Sequence, residues 1–327
     1  MSNFKGLVLR ETDGKVSSKI EPLTDADLPA GDVTVRVAAS TLNYKDGMVL
    51  KGIGRLVRSY PHVPGIDFAG TVEASSSPNY KPGDRVVLTG WRVGEVHWGG
   101  YAQKARVKAE WLVPLPAAIS FHQAMALGTA GFTAMLAVMR LERLGVLSDD
   151  GEVLVTGATG GVGSVATMLL SGLGHRVVAA TGKMDQADYL RRMGAAEVID
   201  RAELSSPGKP FQKERWTAVV DAVGSHTLAN ALAQTRRGGT VIACGLAQGS
   251  DLPTTVMPFI LRGVTLAGVD SVMAPLSLRR QAWDRLAQEV DRNLLEDMVE
   301  DIELDACVER ARDLMDGRVR GRLVVKL

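Results

Sequence analysis

Two cysteines in 327 residues, Cys244 and Cys307, are too few for a disulfide framework or a thiolate zinc cluster. An excess of charge is missing too: 38 Lys and Arg stand against 37 Asp and Glu, a formal net charge of +1. Nucleic-acid surfaces usually show as a basic excess, so no nucleic-acid partner is expected. Aromatic residues make up only 5% of the chain, with no aromatic-basic patch on which single-stranded bases would stack. The five histidines, His62, His97, His122, His175 and His226, are dispersed, and none has a partner at H-x3–5-H or H-E-x-x-H spacing. No metal ligand is therefore assigned. No G-x-S-x-G nucleophile elbow occurs either. The opening MSNFKGLVLRETDGK lacks the basic stretch and apolar run of a signal peptide. No window is expected to reach 18 apolar residues without a charge or loop signal, so no membrane-spanning helix is predicted. The expectation is a soluble, cytoplasmic protein without a membrane partner.

What is present is the composition of a globular chain, 46% apolar and 23% charged, long enough for about two domains. Up to about residue 120 the texture is β-rich. DVTVRVAAS (Asp32 to Ser40) and GDRVVLTG (Gly83 to Gly90) are short β-branched runs between Gly, Pro and Asp. From Phe121, FHQAMALGTAGFTAMLAVMRLERLG spaces its apolar residues as a helix does, with Gly145 as the stop and Met125, Met135 and Met139 on its core face. Strands and helices then alternate. EVLVTGA, HRVVAAT, AAEVID, TAVVDAVG and GTVIACG read as strands buried on both faces of a parallel sheet. SVATMLLSGLG, DQADYLRRMG and HTLANALAQT suit the crossover helices between them. A last strand of this series, VTLAGVDS, is expected to end near Ser271. Leu276 to Met315 reads as helical, and GRLVVKL closes the chain as a strand. The predicted fold class is α/β, with a doubly wound parallel-sheet domain inserted into a β-rich domain.

The strongest motif is VLVTGATGGVGSVATMLL (Val153 to Leu170), where Gly161, Gly163 and Ala166 match G-x-G-x-x-A after a strand and at the opening of a helix. Glycine lets the backbone turn tightly and approach a pyrophosphate, which the following helix N-terminus attracts. Thr159, Gly160, Gly161, Val162 and Gly163 are the candidate contacts; the alternative is a glycine-rich turn without a ligand. NAD-selective folds place an acidic residue about 20 positions further on. Here that count lands on Thr181, Gly182 and Lys183, with no carboxylate. Thr and Lys can instead donate to a 2′-phosphate, so NADP(H) is preferred. Arg192 and Arg201 either join that patch or are solvated surface charges.

The order NYKDGMVLKG (Asn43 to Gly52), PHVPGIDFAGTV (Pro61 to Val72) and the Gly161 turn resembles the medium-chain dehydrogenase/reductase superfamily. Its zinc alcohol dehydrogenases carry a Cys near the N-x-x-D position and a Gly-His-Glu motif. Here Tyr44-Lys45 and Gly65-Ile66-Asp67 stand in those places, and the four-cysteine lobe is missing, as in the zinc-free quinone oxidoreductase-like branch. GWRVGEVHWGGYAQKARVKAEWLVPLP (Gly90 to Pro116) and the Thr181–Lys183 triplet narrow the resemblance to the acrylyl-CoA reductase (NADPH) family, end to end. The resemblance implies a GroES-like catalytic domain (1–122 with 266–327) split around a Rossmann domain (123–265), a cytoplasmic location and a homodimer. It also implies reduction of the 2,3 double bond of acrylyl-CoA to propionyl-CoA by NADPH. Hydride goes to the β-carbon and a proton to the α-carbon, without metal.

Among candidate catalytic residues, the family motif places Tyr44 beside the nicotinamide, where it either donates a proton or only packs. A phenol ordinarily titrates near pH 10, so it is a donor at neutrality. Asn43 and Asp46 can fix the loop, and Asp67 either assists proton transfer or is a structural hydrogen-bonding residue. Gly245, Leu246, Ser271 and Arg318 are carried over as further cofactor contacts. Arg320 is a weaker one, and Cys244 reads as a small core residue. Lys51, Arg55 and Arg58 are either a handle for the phosphates of the acyl-CoA or a solvated loop. Two other readings remain: an NADPH quinone or enone oxidoreductase on the same scaffold, and a cofactor-binding protein with RNA-binding duties.

Overall fold

The protein, described here by a computed structural model covering residues 3–148 and 151–327, divides into two compact units. One comprises residues up to Thr129, Ser271–Ala287 and Met298–Leu327; the other comprises Ala130–Asp270 and Gln288–Asp297. In the first unit β1 (Phe4–Thr12) and β2 (Lys15–Leu23) form an antiparallel hairpin. Asp13 and Gly14 both take the left-handed conformation that a two-residue hairpin turn requires. There follow β3 (Val33–Leu42), α1 (Tyr44–Leu50), β4 (Asp67–Ser75), β5 (Arg85–Thr89), β6 (Lys104–Val107) and β7 (Val113–Pro114). The long helix α2 (Phe121–Arg143) carries the chain onward. The second unit holds β8 (Glu152–Thr156), α3 (Gly161–Gly172), β9 (Arg176–Thr181), α4 (Ala187–Arg192) and β10 (Glu197–Asp200). It continues with α5 (Ala202–Ser205), β11 (Trp216–Asp221), α6 (Ser225–Gln234), β12 (Thr235–Ala243), α7 (Met257–Arg262) and β13 (Thr265–Gly268). The chain ends through α8 (Leu276–Glu289), α9 (Arg292–Asp297), β14 (Val299–Glu303), α10 (Cys307–Met315) and β15 (Arg322–Lys326).

The first unit is built on a seven-stranded sheet in the order β14-β15-β3-β4-β5-β7, with β6 paired to β3. β3 shows why it lies at the centre: Val33, Val35 and Val37 are buried while Arg36 and Ala38 are exposed, the two-residue period of a strand with one packed face. Those valines pack with Phe68, Val86, Leu88 and Leu112. The second unit is a six-stranded all-parallel sheet ordered β10-β9-β8-β11-β12-β13. Numbered within the unit this is 3-2-1-4-5-6, the order of a Rossmann dinucleotide fold. Its strands are buried along nearly their whole length, with Leu154, Val178, Val219 and Val241 in one cluster.

Three sequence expectations change. α2 is long and apolar enough to cross a membrane by length and composition, because residues 121–139 carry no formally charged side chain. Its most apolar window is 89% buried inside the protein, so it is a core helix, and Met125, Met135 and Met139 are buried on it. The stretch expected to be helical from Leu276 to Met315 is interrupted by β14 (VEDIE), of which only Ile302 is buried. β14 is an edge strand paired only with β15, so alternation of apolar residues does not mark it. β13 ends at Gly268, three residues before the expected Ser271.

Arg279 on α8 is buried at 1% exposure. Its guanidinium donates to the carbonyls of Ala274 (2.9 Å), Thr89 (2.6 Å), Ser271 (2.9 Å) and Val272 (2.8 Å). It also lies 4.6 Å from the centre of the Trp91 ring. Arg279→Met orphans these carbonyls, and we expect a loss of about 3–5 kcal/mol, read as a lowered urea midpoint of the first unit.

Candidate active site

At the carboxyl end of β8 the chain turns through Gly157–Gly160 into α3. Gly157 takes φ 61°. A Cβ on Gly163 would lie 2.4 Å from the Gly157 carbonyl oxygen and 2.6 Å from the Ala158 Cα, so only glycine lets the helix pack this tightly on the turn. Ser164 Oγ ties the two together by donating to the Ala158 carbonyl (3.0 Å). Gly160 thus caps, and Gly161 to Gly163 open, a twelve-residue helix, a geometry suited to a pyrophosphate.

The predicted Thr181–Lys183 patch is assembled at the ends of β9 and β10. The Thr159 and Thr181 hydroxyls are 3.2 Å apart, and the Lys183 amide donates to Thr181 Oγ1 (3.0 Å). Arg201 donates its amide to the Thr181 carbonyl (2.8 Å), and its side chain lies over Gly182, where a Cβ would be 2.5 Å from Nε. Arg201 is exposed and makes no ion pair among the described residues. Lys183 is half-buried; burial lowers its ammonium pKa, against the opposing charge of Asp185. Arg192, the other candidate, points to Asp297 (3.3 Å). Two hydroxyls and two cations gather at the end of β9, where the neighbouring Asp200 accepts from the Ala202 amide, and they are a donor set for a 2′-phosphate. Between β12 and α7, a Cβ on Gly245 would meet the Ala222 carbonyl at 2.4 Å, while Leu246 is 61% exposed. Cys244 donates to the Asp221 carbonyl (3.2 Å), and burial pushes its thiol up to about 12, which makes it inert as a nucleophile.

The first unit contributes a buried polar cluster. Asn43, just before α1, donates its amide N–H to Asp46 Oδ2 (2.8 Å) and its Nδ2 to Asp67 Oδ2 (2.9 Å). The Ile66 amide donates to Asp46 Oδ1 (2.9 Å). Asp67, at the start of β4, also accepts from the amide (2.7 Å) and the hydroxyl of Thr129. This works because α2 breaks at Gly128 (φ 51°, ψ −153°), which turns the Thr129 N–H toward Asp67. A Cβ on Gly128 would sit 2.7 Å from Asp67 Oδ2 and 2.9 Å from Arg322 Nη2. Arg322, 4% exposed at the start of β15, donates to the Ala126 carbonyl (2.9 Å), Asn43 Oδ1 (3.1 Å) and Thr41 Oγ1 (2.7 Å).

Two buried acids therefore share one buried guanidinium. Desolvation raises both carboxyl groups. For Asp46 the charge of Asp67 adds to burial and pushes it up to about 7. For Asp67 the Thr129 and Asn43 donors and the Arg322 charge oppose the rise. The cluster is neutral when one acid keeps its proton.

Tyr44, the first residue of α1, is different. It is 47% exposed, and its phenol makes no hydrogen bond among the described residues. Its neighbour Lys45 pairs with the buried Glu95 (3.1 Å). Among the carried-over contacts, Ser271 gives its carbonyl to Arg279. Arg318 is held by Asp313 (2.7 Å) and Asp316 (2.9 Å), two carboxylates that compete with any phosphate. The sequence reading passed over Thr129, Thr41 and Arg322. A cation opening the apolar strand RLVVK and the Gly-Thr step inside α2 were the available signals.

Residues 29–117 match the family model described as alcohol dehydrogenase GroES-like domain, and residues 161–291 that described as zinc-binding dehydrogenase. The chain is 54% identical to acrylyl-CoA reductase AcuI of Ruegeria pomeroyi, over 98% of each chain. It belongs to the acrylyl-CoA reductase family of the medium-chain dehydrogenase/reductase superfamily. Among solved structures, the yhdH oxidoreductase from Salmonella enterica in complex with NADP has a TM-score of 0.97 and 49% identity, covering 99% of each chain. Bacillus subtilis yhfP with NAD bound has a TM-score of 0.96 and 42% identity, covering all of both chains. The α/β fold of a GroES-like unit and a Rossmann unit is thus a property of the family. Despite the zinc in one model's description, no group of three or more His, Cys, Asp and Glu side chains placed to hold a metal occurs among this member's described residues.

Two predictions follow from this geometry. Lys183→Glu puts a carboxylate beside Thr181, and the KM for NADPH should rise at least tenfold while that for NADH changes little. For Asp46, a carboxyl group that titrates near 7 in the folded chain and near 4 when unfolded keeps its proton longer in the native state. Stability from this group is therefore highest below about pH 4, falls as pH rises toward 7 and is level above that. Thermal midpoints measured between pH 5 and 8 should show that decline, and Asp46→Asn should flatten it.

Proposed function

We propose that this protein reduces the 2,3 double bond of acrylyl-CoA to propionyl-CoA with NADPH, without a metal. The observation that carries this reading is 54% identity, over 98% of both chains, to a protein named for that reaction. The choice of NADPH over NADH rests on this chain's own Thr159, Thr181, Gly182, Lys183 and Arg201, since relatives have been solved with either dinucleotide.

When bound, NADPH supplies the hydride that adds to the β-carbon. In this reading Thr159, Gly160, Gly161, Val162 and Gly163 receive its pyrophosphate and Gly245, Leu246 and Ser271 are further contacts, while Arg318 is engaged by Asp313 and Asp316 instead. Negative charge then grows on the thioester oxygen, and the α-carbon needs a proton. Tyr44 is the donor in this reading, because its phenol is exposed, unpaired and held at the N-terminus of a helix. Asn43 and Asp67 act one step behind it. Buried and saturated with hydrogen bonds, they position α1 through Asp46. The edge strand β13 and the exposed Val256, Ile260 and Leu261 support a homodimer, and membership of the family supports a cytoplasmic enzyme.

The test is NADPH oxidation with acrylyl-CoA, run beside NADH, crotonyl-CoA and 1,4-benzoquinone. We expect fast turnover only for acrylyl-CoA with NADPH; preference for the quinone would overturn the substrate. Tyr44→Phe should lower kcat about 10²-fold with little change in the KM for NADPH. Full turnover by this variant would leave Tyr44 a packing role only.

A further inference from the structure

Between Asp46 and Asp67 the chain carries three cations, Lys51, Arg55 and Arg58, and not one carboxylate. All three are exposed, and their side chains make no hydrogen bond or ion pair among the described residues. Other surface arginines, Arg10, Arg191, Arg192 and Arg318, each hold an acid.

The segment is nevertheless firmly seated. Val49 of α1 and Val57 are buried in a cluster with Leu9 of β1, and Val16, Leu50, Leu56 and Tyr60 pack against it. The backbone between them is forced through three left-handed residues, Gly52 (φ 67°), Gly54 (φ 74°) and Arg55 (φ 47°). A side chain at Arg55 is therefore kept in a conformation that glycine would adopt without strain. Burial and then the charge of Glu11 on the packed hairpin raise the Tyr60 phenol, and Lys15 and Lys19 are exposed on β2.

Distance along the chain then matters. Tyr44 and Lys51 bracket α1, which separates them by roughly 10 Å along the helix axis. Arg55 and Arg58 follow beyond it. The pantetheine arm of coenzyme A has two amide units with flanking methylenes, about the reach of four extended residues, or roughly 14 Å. A thioester held at Tyr44 thus brings the phosphates of its coenzyme A to the scale of distance at which this loop begins.

We propose that Lys51, Arg55 and Arg58 form the docking site for the phosphates of the acyl-CoA substrate. The assignment rests on the acyl-CoA reading above and extends it to where the nucleotide end of the substrate is recognised. NADPH carries phosphates too, so the test must separate the two ligands.

The triple variant Lys51→Ser, Arg55→Gly, Arg58→Ser is compared with the unaltered protein by calorimetric titration of free coenzyme A and of NADPH. Steady-state kinetics are measured on acrylyl-CoA and on acrylyl-pantetheine, which has no phosphate. We expect coenzyme A affinity to fall, and the KM for acrylyl-CoA to rise, at least tenfold. The KM for acrylyl-pantetheine and the affinity for NADPH should stay within twofold. Added salt should weaken coenzyme A binding in the unaltered protein more than in the variant. Arg55→Gly alone relieves the left-handed strain, so it should fold with an unchanged or higher thermal midpoint and still bind coenzyme A more weakly. Unchanged coenzyme A affinity in the triple variant overturns the site and leaves a solvated loop. Equal loss for NADPH and coenzyme A overturns it as well. Failure of the broader reading looks different: the unaltered protein would turn over a quinone and not bind coenzyme A at all.

Discussion

Two buried acids and one buried guanidinium set the terms for the GroES-like unit. Asp46, Asp67 and Arg322 come from α1, β4 and β15, elements far apart in the chain, and Asn43 touches all three. Charges this deep are tolerated only when each polar atom finds a partner. The surrounding backbone is shaped to provide them. Helix α2 gives up its regular course at Gly128 so that Thr129 can donate to Asp67, and the turn before β4 offers the Ile66 amide to Asp46. The exposed phenol of Tyr44 gains a fixed base from groups that never reach solvent.

The Rossmann unit solves a different problem with smaller residues. Its parallel sheet is apolar through and through, so the only polar groups that gather are at the strand ends. Gly163 lets α3 close onto the turn after β8, and Gly182 leaves room for the Arg201 side chain beside Thr181. In both places the absence of a side chain makes the room. The donor set that results differs from an NAD-type site by the lack of one carboxylate, a difference of sign that a single residue would reverse.

How much of this was readable in advance follows from the range of the forces involved. The strands of the parallel sheet and the glycine turn are local patterns, and their positions agree with the periodicity of the residues that form them. The Thr181–Lys183 patch was legible because it is contiguous. By contrast β14 could not be seen, since an edge strand with one buried residue has no apolar alternation. Arg322 and Thr129 were equally hidden. Their role depends on contacts across 279 and 62 positions of sequence, and no local pattern encodes such a meeting. Arg318 shows the converse: a cation in a suggestive place turns out to be held by Asp313 and Asp316, partners that spacing alone does not reveal.

The same contrast bears on recognition of a large substrate. A chain with a net charge of +1 has no general attraction for polyphosphates, so any such attraction must be local. Several surface cations here are paired with a neighbouring acid, whereas Arg201 after β10 in one unit and Lys51, Arg55 and Arg58 after α1 in the other make no ion pair among the described residues. One patch sits beside the turn built for a dinucleotide, and the other follows the helix that carries Tyr44. In the docking proposal above, each phosphorylated ligand has its own local group of cations, and neither group needs to be strongly basic.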